Sequence, residues 1–345
     1  MSPISFWNND ERQGYHKVKR TKILKRVLLS LLIFVISFSL ISMLLSALFY
    51  GVFFPRRDSA AEYTLRYSDI DASAYPRERV RFSSGENTLT GYCYPCDDPL
   101  GLIVISAGFG EVCDSHLSET MYFVDNGFSV FCFDCTGVGE SDGRGTVGLA
   151  QPALDLRAAL TYIADAPALS RLPVFLFGHS AGGYAAATCT DVPGVKAAVI
   201  LSGFDSPTLL MRESARGYVG VLADIEYPFL VLQTELVFGG RGGVSASDRL
   251  LDAEIPIAVF EGNNDQTIPP SVRLSQKLSD TANERISLQI CDRPPRNGHS
   301  GIWLTENAMN YRAVDHDEPL DLFAANEPDT EFLSDIVTFY RSAIT

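Results

Sequence analysis

The chain has 345 residues, 46% of them hydrophobic, and a formal net charge of −14, which suits one large domain or two small ones. The first 26 residues carry +5 and the remainder −19. So acidic a body excludes nucleic acid as a partner, because phosphate binding needs a basic surface.

Residues 1–26 hold Arg12, Lys17, Lys19, Arg20, Lys22, Lys25 and Arg26 against Asp10 and Glu11. From Val27 to Phe54, "VLLSLLIFVISFSLISMLLSALFYGVFF", there is no charged residue in 28 positions. About 20 apolar residues span a bilayer as a helix, and a buried core helix of this length would show a polar face. Residues 27–54 are therefore expected to form one transmembrane helix. A cleavable signal peptide is the alternative, but its apolar region usually runs about 7–15 residues and no clear small-residue cleavage site is present here. The excess of basic residues before the span places residues 1–26 in the cytoplasm and everything after residue 54 outside it. Residues 55–77, mixed and polar with Pro55 and Pro76, read as a tether.

Eight β-rich runs come next, at 79–84, 88–94, 101–107, 128–134, 173–178, 196–202, 255–262 and 286–291. The first two alternate around "SGEN" and predict a hairpin. Several later runs are continuously apolar, as strands covered on both faces are. Helical patterns at 116–126, 152–164, 270–280 and 328–343 separate or succeed them. The expected fold of residues 78–345 is α/β, an eight-stranded mostly parallel sheet with helices on both faces and an antiparallel edge. The interval 204–254 exceeds what a crossover needs and reads as a cap, with Gly239–Gly243 as a flexible corner.

All seven cysteines lie beyond the apolar span, and an odd number leaves at least one without an internal partner. Cys93-x-x-Cys96 and Cys132-x-x-Cys135 have zinc-like spacing, but the second pair sits on a strand pattern where i and i+3 face opposite sides. A small Cys93–Cys96 disulfide and several buried thiols are the two remaining readings.

Ligands of open parallel sheets bind beyond the carboxyl ends of the strands, so the residues just after each strand matter most. After "VFLF" comes Gly178-His179-Ser180-Ala181-Gly182, a G-x-S-x-G pattern in which small residues permit a sharp strand-to-helix turn. Ser180 is the candidate nucleophile; the alternative is an ordinary Gly/Ser turn. Of five histidines, His16 precedes the span, His116 begins a helix, and His179 lies in the turn itself and should point away from Ser180. His299, in "RPPRNGHSGIW" after the last strand, is the candidate base, whereas His316 sits farther on among acids. Asp265, after "IPIAVFEG", is the candidate orienting carboxylate, with an Asx turn or helix cap as its plain alternative and Asp205 as the competing acid. After "GLIVISA" come Gly108-Phe109-Gly110-Glu111, where the Phe109 and Ala181 N–H groups could together hold an oxyanion.

The strand order, the nucleophile turn and the sequence Ser180…Asp265…His299 resemble the α/β-hydrolase superfamily over about residues 79–343. "FDCTGVGES" (133–141) is similar to a loop written Asp-x-Arg-Gly-x-Gly-x-Ser in many members, with Thr136 in the arginine place. "SAGFGE" is similar to the oxyanion segment His-Gly-x-Gly, with Ala107 in the histidine place. The serine aminopeptidase and monoacylglycerol-lipase-like branch is the nearest resemblance. It implies a serine hydrolase acting on an acyl ester, lipid or peptide through an acyl-enzyme on Ser180, with no metal or organic cofactor. An acyltransferase with the same three residues and a non-catalytic ligand binder are the rival readings. Tyr218, Tyr227, Phe229, Leu232 and Phe238 in the cap would accommodate an acyl chain or pack the cap on the sheet.

Overall fold

Residues 9–316 and 319–344 are described by a computed structural model; residues 1–8 of the basic segment lie outside the described residues. The elements, in chain order, are α1 (Asn9–Phe53), β1 (Glu78–Ser84), β2 (Asn87–Tyr94), β3 (Leu102–Ser106), α2 (Leu117–Asp125), β4 (Ser129–Phe133), α3 (Gln151–Asp165), β5 (Val174–His179), α4 (Ala181–Thr188) and β6 (Val195–Leu201). They continue as α5 (Pro207–Val219), α6 (Leu222–Phe238), α7 (Ala246–Asp252), β7 (Ile257–Gly262), α8 (Leu274–Leu278), β8 (Ile286–Cys291), α9 (Glu306–Arg312), α10 (Leu322–Ala325) and α11 (Thr330–Ser342).

The strands form one sheet in the order β1-β2-β4-β3-β5-β6-β7-β8. The β1–β2 and β2–β4 pairings are antiparallel and the rest parallel. All eight strands fall where the apolar runs predict them. Every residue of β3, β4 and β5 is buried, because successive side chains enter opposite cores. Leu102 and Val104 face α3 and α4, while Ile103 and Ile105 face α2 and α11. The Tyr340 hydroxyl, fully buried, donates to the Leu176 carbonyl at 2.7 Å and fastens α11 to the central strand.

Three local features depart from the sequence expectation. The helix expected at 270–280 is split at Arg273, which is extended and bridged to Phe204, into a 3-10 turn, Pro270–Val272, and the short α8. The interval 204–254 holds α5 and α6, a 3-10 turn at Gly239–Arg241, and α7, but α7 packs into the core through Ala246 and Leu250; the overhanging part is α5 and α6. The cysteine pair is Cys113–Cys132, while Cys93, Cys135 and Cys189 are buried thiols. Strand alternation explains this: Cys93 faces the α3 side and Cys132 the α2 side, where Cys113 waits. The Cys93–Cys96 disulfide is not formed.

Helix α1 contains the apolar segment unbroken, and only 6% of its most apolar stretch is buried. A core helix would be mostly buried. Its last turns differ: Ser42, Ser46, Tyr50 and Phe54, four residues apart and so on one face, are buried. They meet the cap. Ser42 Oγ donates to Glu226 at 3.0 Å, the Tyr50 and Thr234 hydroxyls lie 2.6 Å apart, and Phe38 packs edge-on against Phe229 at 5.8 Å. Residues 55–77 do not form a free tether. The Arg57 N–H donates to the Gly137 carbonyl, the Arg56 guanidinium donates to the carbonyls of Gly139, Ser141 and Gly143, and Leu65 is in the core.

Candidate active site

The chain leaves β5 at His179 and enters α4 at Ala181, and Ser180 makes the turn with φ 55° and ψ −115°. A non-glycine residue there is strained and held only by surrounding structure. The holding bonds are Ser180 N–H to the Leu201 carbonyl at 2.9 Å and Tyr184 N–H to the Ser180 carbonyl at 3.0 Å. The flanking glycines answer close approaches. A Cβ on Gly178 would lie 2.2 Å from the Gly182 carbonyl oxygen, and one on Gly182 would lie 1.9 Å from that of Ser106. Ser180 remains partly exposed.

The structure brings the three distant residues together. His299, in the loop after β8, places Nε2 2.9 Å from Ser180 Oγ and Nδ1 2.7 Å from Asp265 Oδ2. Asp265 Oδ1 accepts the N–H groups of Thr267 at 2.7 Å and Ile268 at 2.9 Å. Burial pushes the Asp265 carboxyl up, but the His299 hydrogen bond and charge and the two backbone donors outweigh it and hold it below its ordinary value. A carboxylate there makes Nδ1 the donor, which leaves Nε2 as an acceptor facing the serine hydroxyl.

The loop after β3 passes the same edge. The Phe109 N–H and the Ala181 N–H, at the start of α4, have no acceptor among the described residues. Glu111 braces this loop by accepting the Gly108 N–H at 2.7 Å. Phe109 packs edge-on against Phe54 at 5.5 Å, so the end of α1 reaches this site.

The other candidates lie elsewhere. Asp205 Oδ1 accepts the hydroxyls of Ser245 at 2.9 Å and Ser247 at 2.7 Å and the Ser247 N–H at 2.9 Å, which fixes the start of α7. His316 stacks on Tyr311 at 3.9 Å. Thr136, in the arginine place of the resembled loop, donates from N–H at 2.8 Å and from its hydroxyl at 3.0 Å to the buried Asp155. A surface cavity of about 660 Å³ is lined by Tyr75, Met121, Tyr122, Tyr311 and Phe323 among others and includes none of Ser180, Asp265 and His299.

A cluster that sequence reasoning missed lies behind the base. His179 points away from Ser180, its Nδ1 3.3 Å from Glu111 Oε2 and its Nε2 3.3 Å from the His299 carbonyl. His116, buried, stands 3.6 Å from Glu111 and 3.7 Å from Glu119. Burial alone would lower both imidazoles. It prevails at His179, which stays below its ordinary value, while the carboxylates of Glu111 and Glu119 push His116 up to about 9. The folded value of His116 exceeds the unfolded one, about 6.5. Its stabilisation is therefore complete below that pH and lost as pH rises through about 9. The melting temperature of the purified protein should fall over this range. His116→Gln should melt lower at pH 6 and decline less steeply; equal slopes would show His116 to be neutral.

Residues 97–233 match the family described as serine aminopeptidase, S33. An esterase of Pyrococcus furiosus superposes with a TM-score of 0.58 at 15% identity, covering 84% of this chain and 100% of its own. Acetyl xylan esterase 1 of Thermoanaerobacterium sp. superposes with a TM-score of 0.53 at 15% identity, covering 80% and 87%. No curated protein matches the sequence.

Proposed function

From the premise that this chain has the α/β-hydrolase fold, we propose that it is a membrane-anchored serine hydrolase that cleaves carboxylic esters. The unbroken chain of contacts from Ser180 through His299 to Asp265, at 2.9 and 2.7 Å, carries this reading. His299 Nε2 takes the hydroxyl proton as Ser180 Oγ attacks the carbonyl carbon. The imidazolium so formed is stabilised by Asp265, which stays ionised. The Phe109 and Ala181 N–H groups receive the negative oxygen of the tetrahedral intermediate. One such donor is commonly worth about 3–4 kcal/mol of barrier. His299 then gives the proton to the leaving alcohol. Water, deprotonated by the same nitrogen, releases the acid from Ser180.

Ester cleavage takes precedence over amide cleavage because the two superposed structures are named as esterases, although the family matched over 97–233 is described by a peptidase. The anchor is α1, whose apolar stretch is long enough to cross a bilayer and is exposed. The basic residues of 1–26 place its start in the cytoplasm and the catalytic domain on the far side.

A fluorophosphonate probe should label the purified full chain at Ser180. Turnover of p-nitrophenyl esters should exceed that of aminoacyl-naphthylamides by at least about 100-fold, roughly 3 kcal/mol of barrier. Labelling that persists in Ser180→Ala would remove the serine mechanism, and faster naphthylamide cleavage would make the enzyme a peptidase.

A further inference from the structure

His116 is the least satisfied member of the cluster behind the base. It closes the 3-10 turn Cys113–His116, which the Cys113–Cys132 disulfide ties to β4. Its side chain is 1% exposed, and neither ring nitrogen makes a hydrogen bond. A buried polar group left without a partner is costly. The rings of Phe177 and Trp303, centred 5.9 and 5.6 Å from the imidazole, keep water from it.

The inward atoms of the cluster converge. His116 Nε2 lies 3.6 Å and His179 Nδ1 3.3 Å from one oxygen, Glu111 Oε2. The three donor atoms lie within 4.8 Å of one another. Metal bonds of about 2.0–2.2 Å at tetrahedral angles set donor atoms roughly 3.3–3.5 Å apart. The outward atoms fit the same reading. His116 Nδ1 faces Glu119 Oε2 at 3.7 Å, with both side chains buried. His179 Nε2 lies 3.3 Å from the His299 carbonyl oxygen and 3.4 Å from Ser300 Oγ. A carbonyl only accepts, so this nitrogen carries the hydrogen. His179 Nδ1 then turns a lone pair to a carboxylate oxygen, and only a positive charge between the two satisfies both. Histidines on a metal commonly donate their other N–H to a carboxylate or a backbone carbonyl, which fixes the tautomer and the ring. Here one histidine faces each kind. The Gly108 N–H, at 2.7 Å, orients the Glu111 oxygen.

We propose that Glu111 Oε2, His116 Nε2 and His179 Nδ1 bind one divalent transition-metal ion of the zinc class, with water as the fourth ligand. Two imidazoles and a carboxylate are a zinc donor set. The Glu111 side chain, 32% exposed, opens the site to solvent. The ion takes the place of the proton that Glu111 and Glu119 otherwise hold on His116. The alkaline loss of melting temperature expected for His116 belongs to the metal-free chain. The ion's role is structural. His179 points away from Ser180, so the ion stands outside the acyl transfer. It ties the oxyanion loop through Glu111, the nucleophile turn through His179 and the 3-10 turn through His116. The inference depends neither on the substrate nor on hydrolysis.

The test uses the full chain, purified without a histidine tag and stripped of metal by a chelator. Zinc titrated by calorimetry should bind at one ion per chain. Cobalt(II) in its place should give the intense visible absorption of a four-coordinate site. Zinc should raise the melting temperature of the parent, because it binds the folded chain alone. His116→Gln should weaken zinc binding at least about 100-fold, and Glu119→Gln, which removes an outer partner only, by about 10–100-fold. A parent that gives neither the cobalt spectrum nor calorimetric zinc binding overturns the site and leaves the cluster as ion pairs. Equal zinc affinity in the parent and in His116→Gln places the ion elsewhere and also overturns it. Should His116→Gln fail to fold, the parent's cobalt spectrum and the Glu119→Gln affinity decide in its stead. Calcium takes oxygen ligands, so displacement of zinc by calcium would overturn the nitrogen donor set.

Discussion

Ser180→Ala is expected to lower kcat by about 10⁴–10⁶-fold, with a residue of activity left by the oxyanion donors and substrate binding. The loss is chemical. The turn is held by the backbone bonds from Ser180 N–H to Leu201 and from Tyr184 N–H to Ser180, which a shortened side chain leaves in place. The melting temperature should therefore stay close to that of the parent while fluorophosphonate labelling disappears. Ser180→Gly sharpens the test. At φ 55° a side chain costs about 1–3 kcal/mol that glycine does not. The glycine variant should be as inactive as the alanine variant and melt higher than it, because both lose the Oγ–His299 bond and only glycine relieves the strain. An alanine variant that keeps a tenth of parental turnover would remove Ser180 as the nucleophile.

Such a residue was legible in the sequence because of how it is positioned. Strands covered on both faces are apolar throughout, so β3 to β7 stand out as runs, and parallel topology sends the residues after each run to one edge. Ser180, Asp265 and His299 each come just after a run, and their convergence needed no side-chain detail. The contacts that were not legible join segments with no shared period. The Cys113–Cys132 pair depends on which side of β4 each sulfur enters. Glu111 was visible three residues beyond Gly108, but its partners His116 and His179 meet it only through the fold. The docking of α1 had a faint signal. Ser42, Ser46 and Tyr50 place polar groups at four-residue intervals inside an apolar run, which marks one helix face as different from the rest. Residues 55–77 read as a tether because they are polar. Their fixing to the 137–145 loop is made by backbone groups and the Arg56 guanidinium, and composition does not encode that.

Asp265→Asn is expected to cost about 10⁴-fold in kcat while leaving the fold intact. The reason lies in the two halves of the carboxylate. Oδ1 accepts from the Thr267 and Ile268 N–H groups, so an asparagine must turn its carbonyl oxygen there and its NH₂ toward His299. His299 Nδ1 then has to accept, and the ring proton moves to Nε2. That nitrogen would face Ser180 Oγ, 2.9 Å away, as a donor and could no longer take its proton. The imidazolium would also lose its counter-charge. Stability should respond to pH in the opposite sense to His116. The folded value of Asp265 lies below the unfolded one, about 3.9, so its contribution is complete above that pH and lost as pH falls through the folded value. As pH falls below about 4 the parent should therefore lose melting temperature more steeply than Asp265→Asn. A variant within tenfold of parental kcat at neutral pH, or with an acid limb as steep as the parent's, would show that His299 takes its orientation from another group.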